Sequence, residues 1–170
     1  MIRLQFSGER IYSTSPDAFS LYEKSHLGEK KKGKIEYYLV EALYLVTEKK
    51  AIIFSGKKEI SEESLLKKLR RTDKDIETKF AAFRDLRKRG YIVKTALKFG
   101  AEFRVYDKGI KPGEKHARWI LYTVKENKTL KWHDFAAKNR VAHSTKKNLL
   151  IAIIDEEGDV SYYEVAWLRP

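Results

Sequence analysis

The chain opens on alternating apolar and polar positions. "MIRLQF" has the two-residue period of a half-buried strand, and "RIYS" reads as a second strand after a break at Ser7-Gly8. A helix follows from Pro16 to Ser25, with Ser15 as its N-cap and Pro16 at its first position. "IEYYLVEALYLVTEKK" places Tyr38, Ala42, Leu45 and Val46 at helical spacing and predicts a second helix. "AIIF" predicts a short strand ending at Ser55-Gly56. "SEESLLKKLRR" predicts a third helix capped within Ser61 to Ser64. From Asp73 a longer helix carries Ile76, Phe80, Phe83 and Leu86 on one stripe, and Gly90 stops it.

After Gly90 the texture changes. "YIVKTAL", "AEFRVYDKG", "ARWILYTVKE", "LLIAII" and "VSYYEVAWL" predict strands. Between them "LKWHDFAAKNRVAHS" predicts a helix with Trp132, Phe135 and Ala136 inward. The only low-complexity tract is "GEKKKGK" at 28–34. The chain therefore reads as α/β (α+β), with a small helix-rich N-terminal domain over 1–80 and a sheet-rich C-terminal domain over 81–170.

Composition narrows the function classes. Hydrophobic residues make up 42% and charged residues 35%, so a core forms under a densely charged surface. Lys and Arg number 36 against 24 Asp and Glu, a net charge of +12, which favours a polyanionic partner. Residues 1–85 hold 18 basic and 14 acidic side chains, whereas residues 86–170 hold 18 and 10, so the C-terminal half is the better candidate for an anion-facing surface. The absence of cysteine excludes disulfides, thiolate catalysis and cysteine-ligated metals. Histidines 26, 116, 133 and 143 show no paired metal-ligand spacing. No run of eighteen apolar residues predicts a membrane span, and the N-terminus lacks the apolar centre of a signal peptide. A soluble, cytoplasmic protein is expected.

Two stretches carry a resemblance. "FRDLRKRGYIVKTALKFGAEFRVYDKG" and "FAAKNRVAHSTKKNLLIAIIDEEGDVSYYEV" resemble the archaeal tRNA-splicing endonucleases, from about residue 80 to the end. The N-terminal half is similar to them in layout only. The resemblance implies a C-terminal mixed β-sheet flanked by helices, restriction-endonuclease-like. It also implies an RNA endonuclease (lyase) that cuts precursor tRNA at a bulge–helix–bulge without metal or cofactor. The products would be a 2′,3′-cyclic phosphate and a 5′-hydroxyl.

The family uses a Tyr, a His and a Lys. The matching positions are Tyr106 at the end of "FRVY", His116 in "KPGEKHARW" and Lys147, the second lysine of "HSTKK". Ten residues separate the first two, and thirty-one the second two. The family often has Ser after that His, where this chain has Ala117. Taken singly, Tyr106 reads as a strand tyrosine, His116 as a loop histidine and Lys147 as a solvated charge. His143 reads as a residue positioning the lysine strand, and His26 and His133 as structural.

The set suits metal-free RNA cleavage, in which the 2′-hydroxyl is an internal nucleophile. Such a site needs a base, an acid and positive charge. His116, with an ordinary pKa of about 6.5, suits the base. Lys147 suits the charge beside the non-bridging oxygens. Tyr106 suits the acid or an orienting hydroxyl, since its ordinary pKa of about 10 keeps it protonated at neutral pH.

The resemblance also assigns Arg140 and Trp167 to a clamp on a flipped bulge base, which a guanidinium plane and an aromatic ring suit. It assigns Asp155, Glu156, Glu157 and Asp159 to a loop that enters a basic pocket of a neighbouring subunit. Locally "DEEGD" is a turn between two strands, with Gly158 at its bend. The long apolar face of "SYYEVAWL" also invites pairing with another chain. A homotetramer is expected, with an α2β2 assembly containing a separate structural subunit as the alternative. Two rival classes are a non-catalytic RNA-binding paralogue and a metal-dependent nuclease.

Overall fold

The computed structural model describes residues 1–8 and 10–170. It divides into two compact units, Met1–Phe80 and Ala81–Pro170.

The first unit is built on a six-stranded sheet. Its strands are β1 (Ile2–Ser7), β2 (Arg10–Ser13), β3 (Glu29–Lys31), β4 (Lys34–Tyr37), β5 (Ala51–Ser55) and β6 (Lys58–Ile60), in the order β3-β4-β2-β1-β5-β6. Among the described residues of this unit, only β1 and β5 pair in parallel. Alternate residues Ile2, Leu4, Ile11, Ile35, Ile53 and Ile60 are buried. Three helices complete the unit: α1 (Pro16–Ser25), α2 (Leu39–Thr47) and α3 (Glu62–Thr72). The Ser15 and Ser61 hydroxyls accept from the amides of Ala18 and Ser64, so both helices start at the expected caps.

The structure corrects the reading of "IEYY" as the start of a helix. Ile35 and Tyr37 are buried in β4, while Lys31 and Lys34 hold Glu36 at 2.6 and 2.9 Å on the other side. The helix begins only at Leu39, because the buried carboxylate of Glu41 accepts from the Tyr38 amide at 3.0 Å. Its other oxygen accepts from the Gly28 amide at 3.0 Å. Gly28 has φ +80°, and a Cβ there would stand 2.5 Å from Ile35 Cγ2 and 2.8 Å from the Glu36 carbonyl oxygen. The lysine-rich tract is thus a β-hairpin, and β6 is a further short strand absent from the sequence reading.

The second unit holds a mixed five-stranded sheet. Its strands are β7 (Ile92–Thr95), β8 (Phe103–Tyr106), β9 (Trp119–Lys125), β10 (Asn148–Ile154) and β11 (Val160–Val165), in the order β11-β10-β9-β8-β7. β9 and β10 are parallel and the other pairs antiparallel. Parallel neighbours need a crossover, and helix α5 (Trp132–Ser144) supplies it. Helix α4 (Ile76–Lys88) leads into this unit. Phe83 of α4 packs on Phe103 at 5.8 Å between ring centroids. The Tyr162 hydroxyl donates to Asp85 at 2.8 Å; burial and that carboxylate push its pKa up. On the opposite sheet face, Ala142 of α5 lies in a cluster with Ala96, Ala101, Ile120, Tyr122 and Leu149.

The inward face of α5 also needs correction. Trp132 is 82% exposed and Ala136 is exposed. Phe135 and Ala142, seven residues apart, mark the stripe that meets the sheet. Trp132 instead meets the Phe135 ring edge-on at 5.6 Å. Among the described residues, no helix is long and apolar enough to cross a membrane.

Candidate active site

Strands β8, β9 and β10 are hydrogen-bonded neighbours, and their register fixes what lies at one end of the sheet. Trp119 is opposite both Val105 and Asn148. Just beyond that row the Arg118 amide donates to the Val105 carbonyl at 2.9 Å, and the Asn148 amide donates to the Arg118 carbonyl at 3.0 Å. Tyr106 and Lys147 are the next residues on β8 and before β10. The sheet therefore brings both to one end, flanking Arg118.

Tyr106 is buried at 4% exposure. His116 lies in the connection between β8 and β9 and is exposed. This loop is folded by local bonds. Ile110 donates to the Asp107 carbonyl, and the Lys111 amide donates to the Glu114 carboxylate. Gly109 and Gly113 have φ +79° and +96°, where a side chain would be strained. Among the described residues the His116 ring has no hydrogen bond or ion pair, so its imidazole is accessible. The loop's ends are tied by Arg118, whose guanidinium contacts Asp107 at 3.3 Å and Glu164 of β11 at 3.5 Å.

Lys147 owes its position to the end of α5. The Lys147 amide donates to the Ala142 carbonyl at 2.9 Å, and the Lys146 amide to the His143 carbonyl at 3.0 Å. Lys146 has φ +56°, in the left-handed region. These bonds form a Schellman closure in which Lys146 occupies the place usually taken by glycine. The two lysines therefore differ: Lys146 is exposed and makes the turn, whereas Lys147 is half-buried. Lys147 Nζ donates to the Thr145 carbonyl at 2.8 Å and lies 5.4 Å from the Phe99 ring centroid. Burial, and then the charge of Arg104, lower its pKa from the ordinary value.

Trp167 follows β11 and is 51% exposed. Its ring lies 4.6 Å from the His143 ring, at 41°. Arg140 is exposed one turn earlier on α5, on the side shared by residues three apart. Trp167 thus meets α5 through His143, which the sequence reading placed beside the lysine strand. Asp155, Glu156, Glu157 and Asp159 form the β10–β11 turn. Asp155 Oδ1 accepts from the amides of Glu157 and Asp159 at 3.0 and 2.8 Å, so one of the four carboxylates is spent holding the turn. The other three are exposed. Lys147 and Asp155 cap opposite ends of β10, roughly 26 Å apart at the usual strand rise.

Sequence reasoning missed Glu164. Its carboxylate accepts from Trp119 Nε1 and from Asn148 Nδ2, and it pairs with Arg118. It ties the starts of β9 and β10 to β11, next to Tyr106 and Lys147. A lone charge within the apolar run "SYYEVAW" was the available signal. Among the described residues, no group of three or more His, Asp or Glu side chains gathers as a metal site.

Two family models match the chain. The model described as tRNA intron endonuclease, catalytic C-terminal domain, matches residues 76–162, and that of the N-terminal domain matches residues 2–66. A protein named tRNA-splicing endonuclease from Thermococcus gammatolerans is 41% identical over 170 residues, covering 99% of each chain. The protein of that name from Pyrococcus horikoshii is 40% identical over 169 residues, covering 99% of this chain and 97% of its own. That from Methanothermobacter thermautotrophicus is 40% identical over 150 residues, covering 88% and 87%. The likeness thus extends through the N-terminal half, beyond the shared layout read from the sequence.

Proposed function

The chain belongs to the tRNA intron endonuclease family, and from that premise we propose that it cuts precursor tRNA at bulge–helix–bulge sites by metal-independent attack of the 2′-hydroxyl. His116 takes the proton of the 2′-hydroxyl. The 2′-oxygen then bonds to phosphorus as the bond from phosphorus to the 5′-oxygen breaks. Tyr106 gives its proton to the departing 5′-oxygen, and the ammonium of Lys147 offsets the charge that grows on the non-bridging oxygens. The products are a 2′,3′-cyclic phosphate and a 5′-hydroxyl.

The observation that carries this reading is the convergence of Tyr106 and Lys147 at one end of the β8-β9-β10 row, with His116 on the loop that starts at Tyr106. The depressed pKa of Lys147 supports it as well: a half-buried ammonium, poorly solvated, gains more from a phosphate than a surface lysine would. Arg140 and Trp167 hold the bulge base. The three exposed acids of the 155–159 turn dock on another copy in a homotetramer, since they lie at the far end of β10 from Lys147. The division between N-terminal and catalytic domains falls at residues 80/81.

Incubation with a bulge–helix–bulge RNA in excess EDTA tests the mechanism. The expected result is cutting at both bulges, with 3′ ends that lack a free 3′-hydroxyl until the phosphate is removed. Loss of cutting under chelation would sink the metal-independent step. His116→Ala should slow the cut by about 10²–10⁴-fold while RNA binding persists. A variant that cuts at the normal rate would remove His116 as the base.

A further inference from the structure

The scheme above gives Arg104 nothing to do, yet its placement is unusual for a structural cation. It stands two residues before Tyr106 on β8, so the two side chains leave the same face of the sheet. Its guanidinium carbon lies 5.9 Å from the Tyr106 ring centroid. Its charge is also felt at Lys147. The side chain is half-buried, and its Nε is shut off from solvent without a hydrogen-bond partner. Among the described residues neither Arg104 nor Lys147 is paired with a carboxylate.

Withdrawing a cation from water without a counter-charge is unfavourable, and setting a second cation beside it adds repulsion. A folded site tolerates that arrangement when an anion binds there. A guanidinium adds what an ammonium lacks, a planar fork of donors that fits two oxygens of one phosphate.

We propose that Arg104 is a further catalytic residue, whose guanidinium and the Lys147 ammonium together hold the non-bridging oxygens of the phosphodiester being cut. The inference rests on the cleavage site proposed above. Arg104 transfers no proton; it binds charge that grows as the 2′-oxygen bonds to phosphorus.

The full-length protein with Arg104→Gln and Arg104→Lys tests this against wild type in three measurements. These are single-turnover cleavage of a bulge–helix–bulge RNA, thermal unfolding with and without inorganic phosphate, and titration of the Lys147 amine by NMR. Arg104→Gln should slow cleavage by about 10²–10³-fold, the scale of losing one charge-stabilising donor. Arg104→Lys should recover at least part of that rate. Phosphate should raise the unfolding temperature of wild type more than that of Arg104→Gln. The Lys147 amine should titrate at higher pH once the neighbouring charge is gone.

Wild-type cleavage by Arg104→Gln would overturn the inference and leave the cleavage reading intact. Equal losses in Gln and Lys variants that track a drop in unfolding temperature would overturn it too, making Arg104 a packing residue. If wild type itself fails to cut, the cleavage reading falls. The phosphate and Lys147 measurements then decide Arg104 alone, and identical behaviour of wild type and Arg104→Gln would overturn its anion-binding role.

Discussion

The indole of Trp167 rests 4.6 Å from the imidazole of His143, on the last turn of α5. A ring held by another ring is already oriented, so less freedom is lost when a base stacks on its open side. Removing Trp167 with Trp167→Ala should weaken binding of bulged RNA by about 1–3 kcal/mol, the usual worth of a base–aromatic stack. His143→Ala should weaken it in the same direction but less, because the indole remains and only its support is lost. Binding measured with a bulge–helix–bulge RNA, and with the same RNA lacking its bulges, checks this. An equal loss for both RNAs would mean the pair contributes only packing.

Lys147 links the site to pH. Its pKa is lower folded than unfolded, so the unfolded chain holds the proton more tightly across that interval. Its contribution therefore opposes folding below the folded value and fades as pH rises through the window ending at the ordinary value of 10.5. Lys147→Met should raise the unfolding temperature near pH 7, and the gain should shrink toward pH 10.5. It should also abolish cleavage. Thermal unfolding across that pH range is the check, and a pH-independent difference would point to packing instead.

Lys146 holds a backbone conformation that glycine adopts without strain. Lys146→Gly should raise stability by about 1 kcal/mol, the relief of left-handed strain (about 1–3 kcal/mol) less the extra entropy of an unfolded glycine (about 0.5–1 kcal/mol), read from chemical denaturation. Cleavage should stay within a few-fold of wild type. A large loss of rate would show that the exposed ammonium of Lys146 acts on the RNA.

Changing Glu156, Glu157 and Asp159 together to Ser, while keeping Asp155 to hold the turn, should lower the mass seen by light scattering. Asp155→Ala alone should loosen the turn by removing the acceptor of two amides. An unchanged mass for the triple variant would make the segment a simple turn.

The C-terminal unit was largely legible in the sequence, because its strands are apolar and bounded by turns. Of the N-terminal sheet, β1, β2 and β5 were legible and β3, β4 and β6 were not. The three-residue strands β3 and β6 are too short for a period to show, and β4 runs straight into α2 with no polar break. What ends β4 is a carboxylate three residues into the helix, a bond no periodicity reveals. At the candidate site, the resemblance carried Tyr106, His116 and Lys147 but gave Arg104 no role. The Glu164 contacts were invisible, since they join residues up to 46 apart in the chain. Trp132 read as inward because it lies three residues from Phe135, but the stripe that meets the sheet runs toward Ala142.

Glu164, Arg118 and Asp107 form a chain of contacts from the outer strand β11 to the first residue after Tyr106. β11 is the sheet's open margin, and each of these exposed ion pairs is weak alone. A strand of another chain that paired with β11 would damp its fraying, and with it the motion of the loop bearing His116. Association would thereby tune turnover without contributing a single atom to the reaction: a lone chain would hold the same residues on a looser hinge.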